Sequence, residues 1–274
     1  MSQLEGDSEK SGVSKPSATK TWLRKGNSEL SSIGVYVWSI PALIAKTEAF
    51  GNVKTCPNAG ICALLCYARN GRYLFGTVIK AHTRNLEGYL QDPEGWKQSL
   101  LLELQSKRFR PTGIPHNFEW SVRKDFHWWT DSGGRAVRIH DAGDFFSEDY
   151  LLDWIYIAKN TPDVLFYSYT KQVSAFKKVQ ACIDMPRNWV AIYSLGGKED
   201  SLIDKEKDRH DDIFPDHEAL IVAGYFDQEE SDLMAPLAPT NKIGIVANKI
   251  PSLRKKQGTL SFAQLQESRT KRSS

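Results

Sequence analysis

Three of the chain's four cysteines lie within eleven residues, at positions 56, 62 and 66. A fold must either bury these thiols as small apolar side chains or bring the sulfurs together on a soft metal. Their spacings of five and three intervening residues differ from those of common zinc knuckles, and no second pair of close cysteines follows. Three thiolates with one open position suit a four-iron cluster that has a free iron. We therefore predict that Cys56, Cys62 and Cys66 bind a [4Fe–4S] cluster, with zinc as the alternative.

The overall composition limits the class and compartment of the protein. A chain of 274 residues with 41% hydrophobic residues can form one large α/β domain or two small ones. The formal net charge of +3 is too small to indicate nucleic-acid binding by itself. The sequence has neither an apolar run approaching the roughly 18 residues of a membrane span nor a secretory signal. Clustered cysteines without such a signal favour a reducing compartment, so we expect a cytoplasmic protein with no membrane association.

Six segments rich in β-branched and aromatic residues indicate strands. They are 33–38, 136–140, 164–169, 189–193, 219–223 and 242–247. Helical patterns or long connections separate them, among them an amphipathic segment over 148–159 with Ser147 as its cap. This alternation predicts an α/β fold with a parallel sheet. Six such units would form a partial, barrel-like (β/α)6 arrangement, with the cysteine loop after its first strand.

The remaining segments complete the predicted domain organisation. Residues 1–20 are polar and predict a disordered tail, residues 21–258 form a single domain, and residues 259–274 predict a basic, frayed tail. The segment 111–135 interrupts the domain as an insertion in which aromatic and basic residues alternate. These residues are Trp120, Arg123, Lys124, His127, Trp128 and Trp129. They can bind nucleic acid together with the basic tail, or form a hydrophobic lid, and the sequence favours neither.

Polar and glycine residues follow four of the predicted strands. They are the cysteines after the first strand, 141–144 after the second, Thr170 and Lys171 after the third, and 194–197 after the fourth. Ligands of parallel sheets bind at the carboxyl ends of the strands, so we expect these residues to share one site. In one alternative, Asp141 and Asp144 hold magnesium for a nuclease. The charged run 204–212 is typical of a solvated face.

The cysteine loop followed by Tyr67 and Ala68 resembles the cluster loop of radical S-adenosylmethionine (radical SAM) enzymes, although their usual cysteine spacing is shorter. The segment Ala142–Asp144 stands where that family has a Gly-Gly-Glu-type motif. The resemblance implies a [4Fe–4S] cluster and S-adenosylmethionine as cofactors. The catalytic candidates are Asp141, Asp144 and Lys171. The cofactor-binding candidates are Ala142, Gly143, Asp144, Ser194 and Gly196.

Four longer segments, 55–68, 138–147, 166–171 and 193–197, closely resemble the gene product 88 family of phages and bacterial chromosomes. That resemblance runs from about residue 27 to residue 258 and implies a phage or mobile-element context. Our leading hypothesis is a radical SAM-like iron–sulfur protein that catalyses radical chemistry on an unknown substrate. The alternatives are a non-catalytic, metal-stabilised nucleic-acid-binding protein and a metal-dependent nuclease that uses Asp141 and Asp144.

Overall fold

The computed structural model describes residues 21–113, 116 and 118–273, so the predicted tail over 1–20 lies outside the described residues. The strands are β1 (Arg24–Lys25), β2 (Val35–Trp38), β3 (Ile44–Thr47), β4 (Gly51–Lys54), β5 (Arg135–Ile139), β6 (Val164–Thr170), β7 (Trp189–Ser194), β8 (His210–Phe214), β9 (Phe226–Asp227) and β10 (Lys242–Val246). The helices are α1 (Ser28–Ser32), α2 (Cys62–Leu65), α3 (Gly76–Gln91), α4 (Pro93–Leu104), α5 (His127–Ser132), α6 (Glu148–Lys159), α7 (Val173–Gln180), α8 (His217–Val222), α9 (Met234–Leu237), α10 (Pro251–Gln257) and α11 (Phe262–Ser273).

A mostly parallel sheet of eight strands forms the centre of the molecule, which confirms the predicted mixed α/β class. Its order is β1-β2-β5-β6-β7-β8-β10-β9, and only the pairing of β1 with β2 is antiparallel. Strands β2, β5, β6, β7, β8 and β10 therefore follow one another in space as they do along the chain. This order suits an open sheet and a partial barrel alike, so the barrel-like curvature stays a prediction.

Five of the six predicted strands are confirmed as β2, β5, β6, β7 and β10, and the predicted helix over 148–159 is confirmed as α6. The strand predicted over 219–223 is wrong, because these residues belong to α8 and its carboxyl end. The Asp216 carboxylate caps this helix by accepting a hydrogen bond from the Ala219 amide at 2.9 Å. Ile221 and Val222, which suggested a strand, are exposed on the helix surface.

The fifth parallel strand is β8, which begins at His210, within the run 204–212 that we expected to be a solvated charged face, and continues to Phe214. That expectation is wrong for its last residues, since His210, Asp211 and Asp212 are buried. His210 contacts the Asp208 carbonyl and the Tyr225 hydroxyl through its two ring nitrogens, at 2.9 and 3.0 Å. Hydrogen bonds of this kind allow polar side chains to enter the interior.

Apolar side chains cover both faces of the sheet, as the alternation along each strand requires. On one face, Trp38 of β2 packs with Trp96 and Trp154 of helices α4 and α6. On the other face, Val37 and Leu165 pack against the insertion 111–135 and α9. Residues 114, 115 and 117 of the insertion lie outside the described part of the chain.

The aromatic residues of the insertion belong to the core of the second face. Trp129 is completely buried, and its indole N–H donates to the Arg135 carbonyl at 2.9 Å. Trp120 and Trp128 are half-buried against the same cluster. Their packing supports the apolar alternative over a platform for stacking bases.

The predicted frayed tail over 259–274 is wrong for the residues that the structure describes, because α11 spans Phe262–Ser273. Ser261 and Gln264 form reciprocal hydrogen bonds at its start, in which each side chain accepts from the other's amide. Phe262 then packs against Ile61 and Leu65, which flank the cysteines. In the described part of the chain, no helix combines the length and apolarity needed to cross a bilayer.

Candidate functional site

A cavity of about 510 Å³ lies at the carboxyl ends of the parallel strands. The structure brings most of the predicted site residues to its wall. These are Cys56, Cys62, Cys66, Asp141, Ala142, Gly143, Asp144, Lys171 and Ser194, while Gly196 is absent from it. The sequence argument that polar residues after successive parallel strands share one site therefore agrees with the geometry.

The cysteine segment packs closely against the turn that follows β7. The hairpin β3–β4 separates this segment from β2, and Cys62 begins the short helix α2, so the segment is more structured than the predicted loop. The Cys62 amide donates to the Gly196 carbonyl at 3.2 Å. A Cβ atom at Gly196 would lie 2.9 Å from both Ile61 Cγ2 and Phe262 Cβ, and the backbone there has φ +89°. Gly196 thus supports the cysteine segment from behind instead of lining the cavity.

Helix α11 holds the other side of the same segment. The Gln266 side-chain oxygen accepts from the Ile61 amide at 2.7 Å. A Cβ atom at Gly60 would clash with this oxygen and with the Gly196 carbonyl. Gly60 therefore permits the close approach of three chain segments around the cysteines.

The thiols lie in different electrostatic environments. Burial, and then the nearby Asp144 carboxylate, raise the pKa of Cys56 to about 12, although its sulfur accepts from the Leu43 amide at 3.3 Å. Leu43 has φ +64°, a strained conformation for a residue with a side chain. A hydrogen bond from Cys66 lowers the pKa of Cys62, and the Lys171 charge lowers it further, whereas the pKa of Cys66 is raised. Cys62 is therefore the readiest of the pair to become a thiolate.

The separation of the thiols bears on which metal they could bind. Among the described residues, the only set of three His, Cys, Asp or Glu ligand atoms all within 4.8 Å of one another is His217, Asp227 and Glu229. The three cysteine sulfurs are therefore not all within 4.8 Å of one another. Cys62 and Cys66 are nevertheless close enough to share a hydrogen bond. A single zinc holds its ligand sulfurs about 3.8 Å apart, whereas a four-iron cluster binds its thiolates at separate irons, and three thiolates are suitable ligands for either.

Asp144 ties the ends of β5 and β6 together at the cavity wall. One carboxylate oxygen accepts from the Phe145 amide at 2.8 Å and the Thr170 hydroxyl at 2.7 Å, and the other accepts from the Lys171 amide at 3.0 Å. Burial raises the pKa of Asp144, and these hydrogen bonds oppose the rise. A carboxylate offers about four acceptor positions, so the described residues leave one position on Oδ2 without a donor.

Packing and backbone conformation explain why residue 143 is a glycine. Its backbone has φ +89°, and a Cβ atom there would clash with the Ile40 side chain. The neighbouring Ala142 carbonyl accepts from the Ile40 amide at 3.1 Å. The packing of this turn on the end of β2 therefore requires glycine whether or not a ligand approaches.

Lys171 is a buried cation whose three N–H groups are all used. They donate to the Ser194 carbonyl at 2.9 Å, the Ser194 hydroxyl at 2.8 Å and the Leu195 carbonyl at 3.0 Å. Burial lowers its pKa, but the charges of Cys62 and Asp211 outweigh this effect, and the pKa is raised overall. Lys171 thus supplies a fixed positive charge, and it has no N–H free for proton transfer.

Asp141 belongs to a second polar group beside the cysteines. Its carboxylate accepts from the Tyr73 hydroxyl and lies 3.5 Å from the Arg138 guanidinium, while its backbone carbonyl accepts from the Tyr67 hydroxyl at 2.5 Å. Neither Asp141 nor Asp144 joins a set of three close ligand atoms in the described residues. Their carboxylates are bound to protein donors, an arrangement that does not favour the magnesium site of a nuclease.

Asp211 is a cavity residue that the sequence reasoning missed. Its Oδ2 accepts from the Ser194 hydroxyl at 3.3 Å, whereas its buried Oδ1 has no hydrogen-bond partner among the described residues. Burial raises the pKa of Asp211 to about 7. In the sheet, Asp211 lies opposite Ser194 of β7. The strand that carries Asp211 was not predicted, because charged residues surround it in the sequence.

His140 also lines the cavity, although it was not among the predicted site residues. It has φ +67° at the end of β5. The Tyr150 hydroxyl accepts from the Trp38 indole at 2.7 Å and lies 2.9 Å from His140 Nε2, with the direction of the second hydrogen bond set by the tautomer of the ring. Burial lowers the pKa of His140 to about 3. The ring is therefore neutral, and its Nδ1 has no hydrogen-bond partner among the described residues.

Comparison with known proteins gives one family. A family model described as gene product 88 matches residues 11–273, nearly the whole chain. No curated protein matches the chain. No solved structure matches it either. The resemblance drawn from the four long segments is confirmed, and the more distant likeness to radical SAM enzymes stays a prediction.

Proposed function

The chain belongs to the gene product 88 family, and we propose that it is an iron–sulfur protein of radical SAM-like type. The observation that carries the proposal is the shared cavity wall, in which three cysteines from one short segment meet the turn Ala142–Asp144. The strand order also supports it, because parallel strands that keep their chain order are the basis of a partial (β/α)6 barrel.

In this proposal Cys56, Cys62 and Cys66 hold three irons of a [4Fe–4S] cluster, and the fourth iron is open to S-adenosylmethionine. When bound, such a cluster supplies the electron for reductive cleavage of the cofactor. The amide of Leu43 stabilises negative charge on the Cys56 sulfur. The fixed charge of Lys171 does the same near Cys62.

Asp144 is the residue that we assign to the ammonium group of the cofactor. Its free acceptor position on Oδ2 supports this role, and its contacts with Thr170 and Lys171 hold it in place. Ser194 and Ala142 line the same cavity and are kept as contacts of the cofactor. Gly143 and Gly196 are assigned to the packing of the turns and not to close approach of the cofactor.

Titration of the anaerobic, cluster-containing protein with S-adenosylmethionine tests the catalytic part of the proposal. Asp144→Asn should keep the iron but weaken binding roughly ten- to a hundredfold, because a charge-assisted hydrogen bond is lost. Thr170→Val is the matched control, since it removes one hydrogen bond from Asp144 and leaves the charge. We expect the control to bind within a few-fold of wild type.

Reductive cleavage, followed as release of 5′-deoxyadenosine, is the companion assay. A wild-type protein that contains the cluster but neither binds nor cleaves the cofactor would remove the enzyme proposal. The cluster would then have a structural or sensory role. The nuclease and nucleic-acid-binding alternatives are not proposed, because the carboxylates are bound to protein donors and the aromatic rings are packed in the core.

A further inference from the structure

A second cavity of about 460 Å³ adjoins the cysteine-lined cavity. It lies among β1, the residues that follow it, and helix α3. Both cavities share the wall residues Asn27, Glu29, Tyr73, Arg138, Asp141 and Asp232. A molecule in the second cavity would therefore extend toward the cysteines past this shared wall.

Unpaired positive charges line the second cavity. Arg24, Lys25 and Arg72 are exposed on its wall, and their side chains form no ion pair or hydrogen bond with residues in the described ranges. Among the described residues, the acidic side chains of this wall are Glu29 and the two carboxylates that Arg138 binds, Asp141 and Asp232. Over the whole wall, four cations (Arg24, Lys25, Arg72 and Arg138) face three carboxylates (Glu29, Asp141 and Asp232), which leaves a net charge of +1.

The shared wall reduces this excess but does not remove it. Arg138 lies 2.9 Å from Asp232 and 3.5 Å from Asp141, so two carboxylates oppose its single charge and it contributes no free cation to the cavity. Burial lowers the pKa of His82 to about 4, leaving this wall residue neutral. Burial and the charge of Arg24 also lower the pKa of Arg84, which places another cation near the cavity.

We propose that the second cavity binds a small anionic ligand, whose phosphate or carboxylate group lies at Arg24, Lys25 and Arg72. The cavity volume falls in the range of about 300–1,000 Å³ typical of small-molecule sites. Guanidinium and ammonium groups are the usual partners of such anions. The anion site itself depends on the second cavity alone. The inference rests on the proposed function only where this ligand is taken to be the substrate of the proposed reaction.

A small ligand is favoured over a polynucleotide by where the charges lie. The three cations face a concave site that continues toward a buried cavity, whereas a nucleic-acid backbone requires basic groups along an extended surface. The aromatic residues of the insertion, which would stack bases, are packed against the core.

Calorimetric titration at low ionic strength tests the site, with inorganic pyrophosphate and succinate as separate probes. The first probe reports a phosphate site and the second a carboxylate site. We expect wild type to bind at least one of them. The combined variant Arg24→Gln, Lys25→Gln and Arg72→Gln should bind it at least about tenfold more weakly, because three favourable charge interactions are lost.

A charge-matched control is the combined variant Lys46→Gln, Lys54→Gln and Lys159→Gln, whose exposed lysines lie off both cavity walls. It should bind the probe as wild type does. Equal weakening in both variants, or no binding of either probe by wild type, would overturn the inference.

Titration with a single-stranded oligonucleotide is the second test. Binding of the oligonucleotide alone, lost in the Arg24, Lys25 and Arg72 variant, would replace the small ligand with nucleic acid and also overturn the inference. Titration of the same preparation with S-adenosylmethionine separates the two proposals. A protein that binds pyrophosphate or succinate but not S-adenosylmethionine keeps the anion site and loses the proposed enzymatic function.

Discussion

At the scale of single residues, the cavity contains polar atoms that the described part of the protein leaves without partners. Asp211 Oδ1 and His140 Nδ1 are both buried and lack hydrogen-bond partners there. Buried polar groups usually have partners, so these two atoms are exceptions at the cavity wall. Neither residue was chosen from sequence, because a buried polar atom is identified only when its neighbours are known.

Asp211 also gives a prediction about pH. Its pKa rises from 3.8 to about 7 on folding, so the folded protein keeps a proton that the unfolded chain releases. Its contribution to stability is therefore lost as the pH rises from about 4 through 7. Asp211→Asn should become more stable relative to wild type across this range, by up to roughly 4 kcal/mol above pH 7. Urea unfolding at pH 5 and pH 8 measures the difference, and an Asn variant with no greater advantage at pH 8 would contradict the assigned burial.

The cysteines are expected to differ in their effect on metal content. Replacing Cys56, Cys62 or Cys66 with Ser should remove the metal and destabilise the segment, because metal binding and local folding are coupled. Cys182→Ser is the control, since Cys182 is exposed and lies away from the cavity wall. Metal analysis of the four purified variants shows which cysteines are needed to bind the metal. Loss of metal from Cys182→Ser would mean that the fourth ligand comes from the protein and that the site is not open.

At the scale of secondary-structure elements, the cysteine segment depends on α11, which the sequence did not predict. The basic composition of this helix concealed one buried aromatic residue, Phe262, and one buried contact, from Gln266 to the Ile61 amide. Single contacts of this type leave no periodic pattern in a sequence. Strand β8 was missed because charged residues surround it in the sequence, whereas strands with continuous apolar runs were found.

Helix α11 can be tested through its contact with the cysteine segment. Gln266→Ala leaves the Ile61 amide without its partner, at a cost of about 1–3 kcal/mol, and should speed the loss of metal to a chelator. Glu267→Gln is the control, because its carboxylate pairs with Lys271 on the exposed side of the helix. Chelator kinetics that are equal in the two variants would show that α11 does not support the site.

The insertion has a structural role that can be separated from nucleic-acid binding. Trp129→Ala should lower the free energy of unfolding by about 3–5 kcal/mol, because the side chain is completely buried. Arg123→Gln is the control on the solvent side, where its partner is the exposed Asp125, and should change stability by less than about 1 kcal/mol. Denaturant unfolding and oligonucleotide titration are measured on both variants. Unchanged stability together with loss of oligonucleotide binding in Trp129→Ala would reverse the assignment.

At the scale of the whole molecule, the parallel sheet explains why much of the site was predictable. Consecutive strands are neighbours, so residues that follow them along the chain meet at one edge. This rule brought the cysteines, Asp144, Lys171 and Ser194 together before any contact was known. It could not assign their roles, because Lys171, Gly143 and Gly196 have contacts that occupy them within the protein.

The central claim is that Cys56, Cys62 and Cys66 hold an iron–sulfur cluster, and the metal content of anaerobically purified protein tests it most directly. Iron, sulfide and zinc are measured on the same sample, together with its visible absorption spectrum. The account predicts brown protein with about four irons and four sulfides per chain, both lost in the three cysteine variants. Colourless protein with one zinc per chain, kept when iron and sulfide are supplied, would contradict it.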